Sequence, residues 1–149
     1  MKKPYQALIF DWDGTLADST SMIVQAVQQA FVENDFAMPS DSEASHIIGL
    51  ALPKAMQHLA PQANADEIFA LSESYKRLFL NPNNQMRLFQ DAQALLPSLK
   101  PDYWLTVATG KSRRGLDRAL TEVGLDKGFF LATRTVDECA SKPSPDMIL

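Results

Sequence analysis

Apolar residues follow two different patterns along the chain, and the change of pattern divides it. The continuous run over 7–10, ALIF, is typical of a buried strand. Beyond it, apolar residues recur at helical spacing, which predicts amphipathic helices until a turn at 81–84. Four helices are expected: one capped by Asp18 or Ser19, one from Asp41 to Ile48 closing at Gly49, one from about Pro53 to before Pro61, and one that carries Ile68 to Phe79.

After this helical block, strand and helix patterns alternate. The expected elements are a helix over Asp91–Lys100, a strand over Tyr103–Ala108, a helix over Arg113–Val123 and a strand over Phe129–Thr133. Such alternation favours a parallel sheet. The sequence therefore predicts a doubly wound α/β core made of residues 1–16 and 87–149, with an all-helical insertion over 17–86.

Composition narrows the class of protein. The chain has 149 residues, is 46% hydrophobic and 21% charged, and carries a net charge of −4. These values are ordinary for a globular protein and argue against a general nucleic-acid surface. No apolar run is long enough to predict a membrane span or a signal-peptide core. Cys139 is the only cysteine, which fits a reducing, cytoplasmic location.

The most specific string is DWDGTLAD, residues 11–18, directly after the first strand. Two carboxylates two residues apart, Asp11 and Asp13, project to the same side of an extended chain. Close like charges are costly unless a cation lies between them or one carboxyl keeps its proton. Gly14 allows the chain to leave the strand sharply. The pattern indicates a divalent metal together with a nucleophile and an acid.

Two further groups are expected at the same place. Thr109 and Gly110 follow the second strand, and ligands collect at the carboxyl ends of strands in a doubly wound sheet. A hydroxyl followed by an unshielded backbone N–H makes a small phosphate cradle, and Ser112 can cap the next helix. Lys142, next to Pro143, can place a point charge on a phosphoryl oxygen or between carboxylates.

With Ser19, residues 11–19 resemble the first motif of the haloacid-dehalogenase-like hydrolase superfamily, in its phosphatase form. Thr109 and Lys142 match the next two motifs in order and spacing, and the helical insertion matches a cap of that superfamily. The chain is similar to the phosphoglycolate-phosphatase-like branch. The resemblance implies a Rossmann-like core with a helical cap, and Mg²⁺-dependent hydrolysis of a small phosphorylated metabolite.

The resemblance also implies residue roles. Asp11 would attack phosphorus, form an aspartyl-phosphate and bind Mg²⁺. Asp13 would protonate the leaving oxygen, deprotonate the incoming water and touch the metal through its carbonyl. Thr109 and the Gly110 N–H would hold phosphoryl oxygens, and Lys142 would offset negative charge.

One part of the family pattern is not found in these 149 residues. The superfamily has a fourth motif, an acidic pair after a later strand, so the C-terminal part of the core is expected to be missing. The strand before Asp11 would then be an unprotected edge, and weak or no turnover is expected of this chain alone. Gly49 and Leu50 lie where caps of the family place a loop over the active site.

Three alternatives stay open at this point. A phosphomutase would share Asp11 and Asp13 but return the phosphoryl group to a sugar. A receiver-type signalling domain also combines an acidic pair, a Thr and a Lys around Mg²⁺, although its phosphoacceptor lies on a later strand. A non-catalytic remnant would bind a partner through its helical part.

Overall fold

The computed structural model describes residues 4–126 and 128–149, within which three strands form one parallel sheet. The strands are β1 (Ala7–Phe10), β2 (Trp104–Ala108) and β3 (Ala132–Arg134), in the spatial order β1-β2-β3. The helices are α1 (Thr20–Glu33), α2 (Asp41–His46), α3 (Leu52–Leu59), α4 (Ala65–Phe79), α5 (Gln90–Leu99) and α6 (Arg113–Glu122), and a 3-10 turn covers Pro145–Met147. No helix in the described ranges is long and apolar enough to cross a membrane.

Helices α1 to α4 lie between the first two strands in sequence and share one hydrophobic cluster. Its buried members include Val27, Phe31, Met56 and Leu71. Capping boxes begin both α2 and α4, each closed by a Glu three residues after the cap. The second predicted helix is shorter than expected: α2 ends at His46, because the chain turns toward Gly49, whose φ is +97°.

A second cluster fills the α/β part. It joins buried residues of α5, β2 and α6, among them Leu96, Leu105 and Leu116, to the fully buried Trp12. Ala17 and Met86, at the predicted boundaries of the insertion, belong to this cluster. The two clusters therefore follow the predicted division of the chain closely, while the assignment of two domains stays a prediction.

The predicted third strand, over Phe129–Thr133, is wrong in position. Pairing of β3 with β2 begins at Ala132, which lies opposite Thr106. Phe129 and Phe130 pack edge to face with ring centroids 5.1 Å apart, and Phe130 is buried in the α/β cluster. Burial of these aromatic rings outweighs their preference for strands, so the ladder starts three residues later.

The expectation that β1 is a buried strand is also wrong. Leu8 and Phe10 pack against the α/β cluster, but Ile9 is 50% exposed. Within the described residues β1 pairs only with β2, so it forms an edge of the sheet, as the sequence predicted. Strand β1 is thus apolar on both faces, although only the face of Leu8 and Phe10 is covered within the described residues.

Two phenylalanines of the insertion provide a test of the helical cluster. Phe31 is 1% exposed and Phe69 is 66% exposed. We expect Phe31→Ala to lower the free energy of unfolding by about 3–5 kcal/mol, because it leaves a cavity. Phe69→Ala, the matched control, should change it by about 0.5 kcal/mol or less. Equal losses in urea denaturation would contradict the packing described here.

Candidate active site

The loop after β1 separates two acidic side chains from a buried indole. Trp12 is fully buried, and its carbonyl accepts hydrogen bonds from the N–H groups of Thr15, Leu16 and Ala17 at 3.0–3.2 Å. Gly14, at φ +75°, makes the turn possible. The structure places Trp12 in the core.

Asp11 lies at the carboxyl end of β1 and is paired with a lysine from far along the chain. Its Oδ1 is 3.0 Å from Lys142 Nζ and accepts a hydrogen bond from the Trp12 N–H at 2.7 Å. Lys142 Nζ also donates to the Ala108 carbonyl at 3.2 Å. The ammonium thus joins the ends of β1 and β2.

Asp13 is held at both carboxylate oxygens. Ser19 Oγ donates to Oδ1 at 2.8 Å, and Lys111 Nζ lies 3.2 Å from Oδ2. Ser19 occupies the N-cap position of α1, yet its side chain makes no capping bond. The prediction that Ser19 caps this helix through its side chain is therefore wrong: its hydroxyl is directed toward Asp13, to which it donates a hydrogen bond.

Thr109 follows β2 and is 1% exposed. Its N–H donates to the Arg134 carbonyl at 3.1 Å, and its Oγ1 accepts from the Lys111 N–H at 3.2 Å. Since Oγ1 accepts from the backbone, its own proton can be donated elsewhere. Ser112 accepts from the Gly115 N–H at 3.1 Å, which confirms it as the cap of α6.

The loop at Gly49 and Leu50 lies over this edge of the sheet. A Cβ on Gly110 would be 2.5 Å from the Gly49 carbonyl oxygen and 2.8 Å from that of Leu50. A Cβ on Gly49 would be 3.5 Å from Asp11 Oδ2. Only glycine at 110 allows this close approach of two backbones. Lys54 Nζ adds a second contact, donating to Ser141 Oγ at 2.8 Å.

The charges of the site balance in pairs. Each of the carboxylates, Asp11 and Asp13, faces one lysine ammonium, and the Asp13–Lys111 pair is the more enclosed, with 12% exposure of each side chain. Burial raises the pKa of Tyr75, and the charge of Asp13 raises it further, so this phenol stays neutral.

The donor set fits Mg²⁺. Carboxylate oxygens are the ligands that this cation prefers, and proteins usually bind it through one or two carboxylates, with waters and substrate phosphates completing the shell. Asp11 supplies one carboxylate at this edge of the sheet, and Asp13, whose carboxylate is engaged by Ser19 and Lys111, could add its backbone carbonyl. Among residues 4–126 and 128–149 no cluster of three His, Cys, Asp or Glu side chains suited to a metal occurs.

The structure brings Asp11, Asp13, Thr109, Gly110 and Lys142 to one edge, with the Gly49 loop above them. Sequence reasoning missed Lys111, which lies in the turn that follows Thr109 and Gly110. The signal was its place in that turn, two residues beyond a predicted site residue.

Arg113, the first residue of α6, contacts residues on β3 and in the segment that follows it. Its Nη2 lies 2.7 Å from Glu138 Oε1, and its Nη1 donates to Thr133 Oγ1 at 2.8 Å. Its backbone N–H donates to Asp137 Oδ2 at 2.5 Å. These contacts tie the start of α6 to the segment after β3.

The sequence profile of the haloacid dehalogenase-like hydrolase family matches residues 8–149. The chain belongs to this family. Membership agrees with the fold and with the three motifs, and it sets aside the receiver-domain alternative.

Two curated relatives are each 30% identical to this chain. Pyrophosphatase PpaX of Listeria monocytogenes is 30% identical over 148 residues, which are 95% of this chain and 64% of that protein. Tyrosine-protein kinase PtkA of Mycobacterium tuberculosis is 30% identical over 126 residues, 83% of this chain and 42% of its own length. The chain therefore spans less than two thirds of the length of these relatives.

A crystal structure from Haemophilus somnus, described as a predicted phosphoglycolate phosphatase, has the same fold. It superposes with a TM-score of 0.81 and 22% identity, covering 97% of this chain and 69% of that one. At this identity the similarity concerns the fold alone, and it confirms the doubly wound α/β core with a helical insertion.

The contact between Gly110 and the Gly49 loop gives a testable prediction. Gly110→Ala should lower the free energy of unfolding by about 1–3 kcal/mol and speed amide exchange at Leu50, because the new methyl group displaces backbone. Gly128→Ala is the control, since its Cβ would meet only a flexible carboxylate oxygen at 3.4 Å. Unchanged Leu50 exchange in Gly110→Ala would contradict the contact.

A second prediction concerns Glu138. Its slight burial raises the pKa of this carboxyl, but hydrogen bonds from Arg113 and from the Thr135 N–H outweigh it, so the pKa lies below the ordinary 4.5. A lowered pKa stabilises the fold above about pH 4.5, and that stabilisation is lost as the pH falls further. Glu138→Gln should therefore be less stable than wild type at pH 7, with the difference shrinking below pH 4.5. A difference independent of pH in denaturant titrations would contradict this.

Proposed function

We propose that this chain is the catalytic part of a phosphatase that hydrolyses small phosphate monoesters through Asp11. The observation that carries the proposal is the pairing of Asp11 Oδ1 with Lys142 Nζ at 3.0 Å, at the carboxyl ends of two paired strands. A nucleophile, a fixed ammonium and nearby donors are what phosphoryl transfer requires. The similarity to a Listeria protein named as a pyrophosphatase supports the same chemistry.

The reaction would proceed in two displacements. In the first, which starts with Asp13 protonated, an oxygen of Asp11 bonds to phosphorus while the bond to the leaving oxygen breaks, and Asp13 gives that oxygen its proton. In the second, a water oxygen bonds to phosphorus, the bond to Asp11 breaks, and Asp13 takes the proton of the water. The product is inorganic phosphate, and both aspartates return to their starting state.

The remaining groups would stabilise charge. Thr109 Oγ1 and the Gly110 N–H would donate to phosphoryl oxygens, and Lys142 would offset negative charge on nucleophile and phosphate. Asp11 and Asp13 would hold Mg²⁺, which when bound neutralises phosphate charge. Lys142 is already held by Ala108, so little reorganisation is needed when a substrate binds.

The helical insertion would act as a cap. We assign residues 17–86 to the cap and residues 1–16 and 87–149 to the catalytic unit, with Gly49 and Leu50 contacting the substrate. The closeness of the Gly49 carbonyl to Gly110 supports this, because a closed cap excludes water from the reacting groups. A single cysteine supports a cytoplasmic location.

A second candidate is transfer to an acceptor other than water. One relative is named as a tyrosine-protein kinase, and a phosphomutase would use the same two aspartates. Incubation with a phosphate ester and a hydroxylic acceptor distinguishes the two. Hydrolysis yields free phosphate, whereas transfer yields a phosphorylated acceptor or an isomerised sugar phosphate.

The proposal predicts slow, Mg²⁺-dependent release of phosphate from an aryl phosphate at high protein concentration. Asp11→Asn should lower the rate about 10³-fold or more, because the nucleophile is lost. Asp66→Asn, which removes an exposed carboxylate in the first turn of α4, is the control and should leave the rate unchanged. Release that is indifferent to Mg²⁺, or equal in the Asp11→Asn variant, would refute the proposal.

A further inference from the structure

The ion pair between Lys111 and Asp13 has no part in the function proposed above. We infer that Lys111 is a positioning residue for the acid–base carboxylate of Asp13, and that Phe79 makes the position of Lys111 depend on the end of helix α4. The inference rests on the proposed function, because it concerns the residue assigned to proton transfer.

The first observation is the enclosure of the pair. Lys111 Nζ lies 3.2 Å from Asp13 Oδ2, and each side chain is only 12% exposed. Exposed ion pairs do little to orient their side chains, since these are mobile and screened by solvent. An enclosed pair is less screened, and with Ser19 on Oδ1 the carboxylate is held at both oxygens. These two contacts fix the plane of the Asp13 carboxylate, and therefore the direction in which it can pass a proton.

The second observation is that the backbone of Lys111 is itself fixed. Its N–H donates to Thr109 Oγ1 at 3.2 Å, and its carbonyl accepts from the Val136 N–H at 3.2 Å. The side chain thus starts from a rigid point between β2 and α6. It reaches Asp13 from the turn after β2, which also carries the predicted phosphate-binding residues Thr109 and Gly110.

The third observation is the aromatic surface beneath the ammonium. Lys111 Nζ lies 4.8 Å from the centroid of the Phe79 ring, within the range of a cation–π interaction. Phe79 is the last residue of α4, and its ring stacks on Tyr75 with centroids 5.5 Å apart. Phe79 packs against both hydrophobic clusters. A shift of the α4 end would therefore move the ammonium that orients Asp13.

This arrangement predicts a dependence on the leaving group. Lys111→Met keeps the aliphatic stem but removes the charge, so Asp13 loses one of its two anchors. In a single turnover with excess enzyme, release of phenol from phenyl phosphate, whose leaving oxygen is basic and needs a proton, should slow about 10²-fold. Release of 2,4-dinitrophenol from 2,4-dinitrophenyl phosphate, whose leaving group departs as an anion, should be nearly unchanged in the same measurement, because it precedes the second displacement in which Asp13 acts as a base.

Three variants serve as references. Asp13→Asn should show the same selective loss, and more of it. Phe79→Leu, which keeps apolar packing but removes the ring face, should show a smaller loss of the same kind. Lys100→Met is the matched control: Lys100 Nζ lies 4.4 Å from the Phe129 centroid, away from the site, and its removal should spare both substrates. An equal loss on both esters in Lys111→Met would overturn the inference.

A second measurement does not depend on turnover. In Mg²⁺-free buffer, the denaturation midpoints of Lys111→Met, Asp13→Asn and the double variant form a thermodynamic cycle. We expect the double variant to lose less stability than the sum of the losses in the two single variants. Additive losses of stability would overturn the pairing. If wild type hydrolyses neither ester, the proposed function fails, and the positioning role fails with it. The cycle then still decides whether the ion pair exists.

Discussion

The parallel pairing of β1 with β2 is the constraint on which the rest of the site depends. Phe10 lies opposite Val107, so the residues that follow the two strands leave the sheet at the same edge. Asp11 and Thr109 are 98 positions apart in sequence, yet the register brings the loops that carry them together. Lys142 reinforces this arrangement by bonding to both sides of the pair, at Asp11 and at the Ala108 carbonyl.

Charge and backbone contact then organise what surrounds that edge. Two acidic side chains in one loop would repel each other, and the structure offsets them with one ammonium each, from Lys142 and Lys111. The helical insertion meets the same edge at Gly110, where the absence of a side chain admits the Gly49 carbonyl. The two ion pairs and the helical insertion thereby meet at one edge of the sheet.

Local patterns were sufficient for most elements and for the groups after the strands. The Ser112 cap of α6, the turn at Gly14 and the D-x-D string are short-range features that sequence expresses directly. Contacts between distant segments were not predictable in the same way. The Lys111–Asp13 pair depends on the register of β1 and β2 and on the position of Phe79. The start of β3 depends on how the rings of Phe129 and Phe130 pack. Tertiary packing decided both.

The central claim is that Asp11 is the phosphoryl acceptor, and one measurement tests it most directly. The chain is mixed with an aryl phosphate and Mg²⁺, quenched in acid within the first turnover, and the modified residue is located by peptide mass spectrometry. The account predicts a phosphoryl group on Asp11 that is absent from the Asp11→Asn variant. A phosphoryl group on Asp13 or another residue, or phosphate release without any modified peptide, would contradict it.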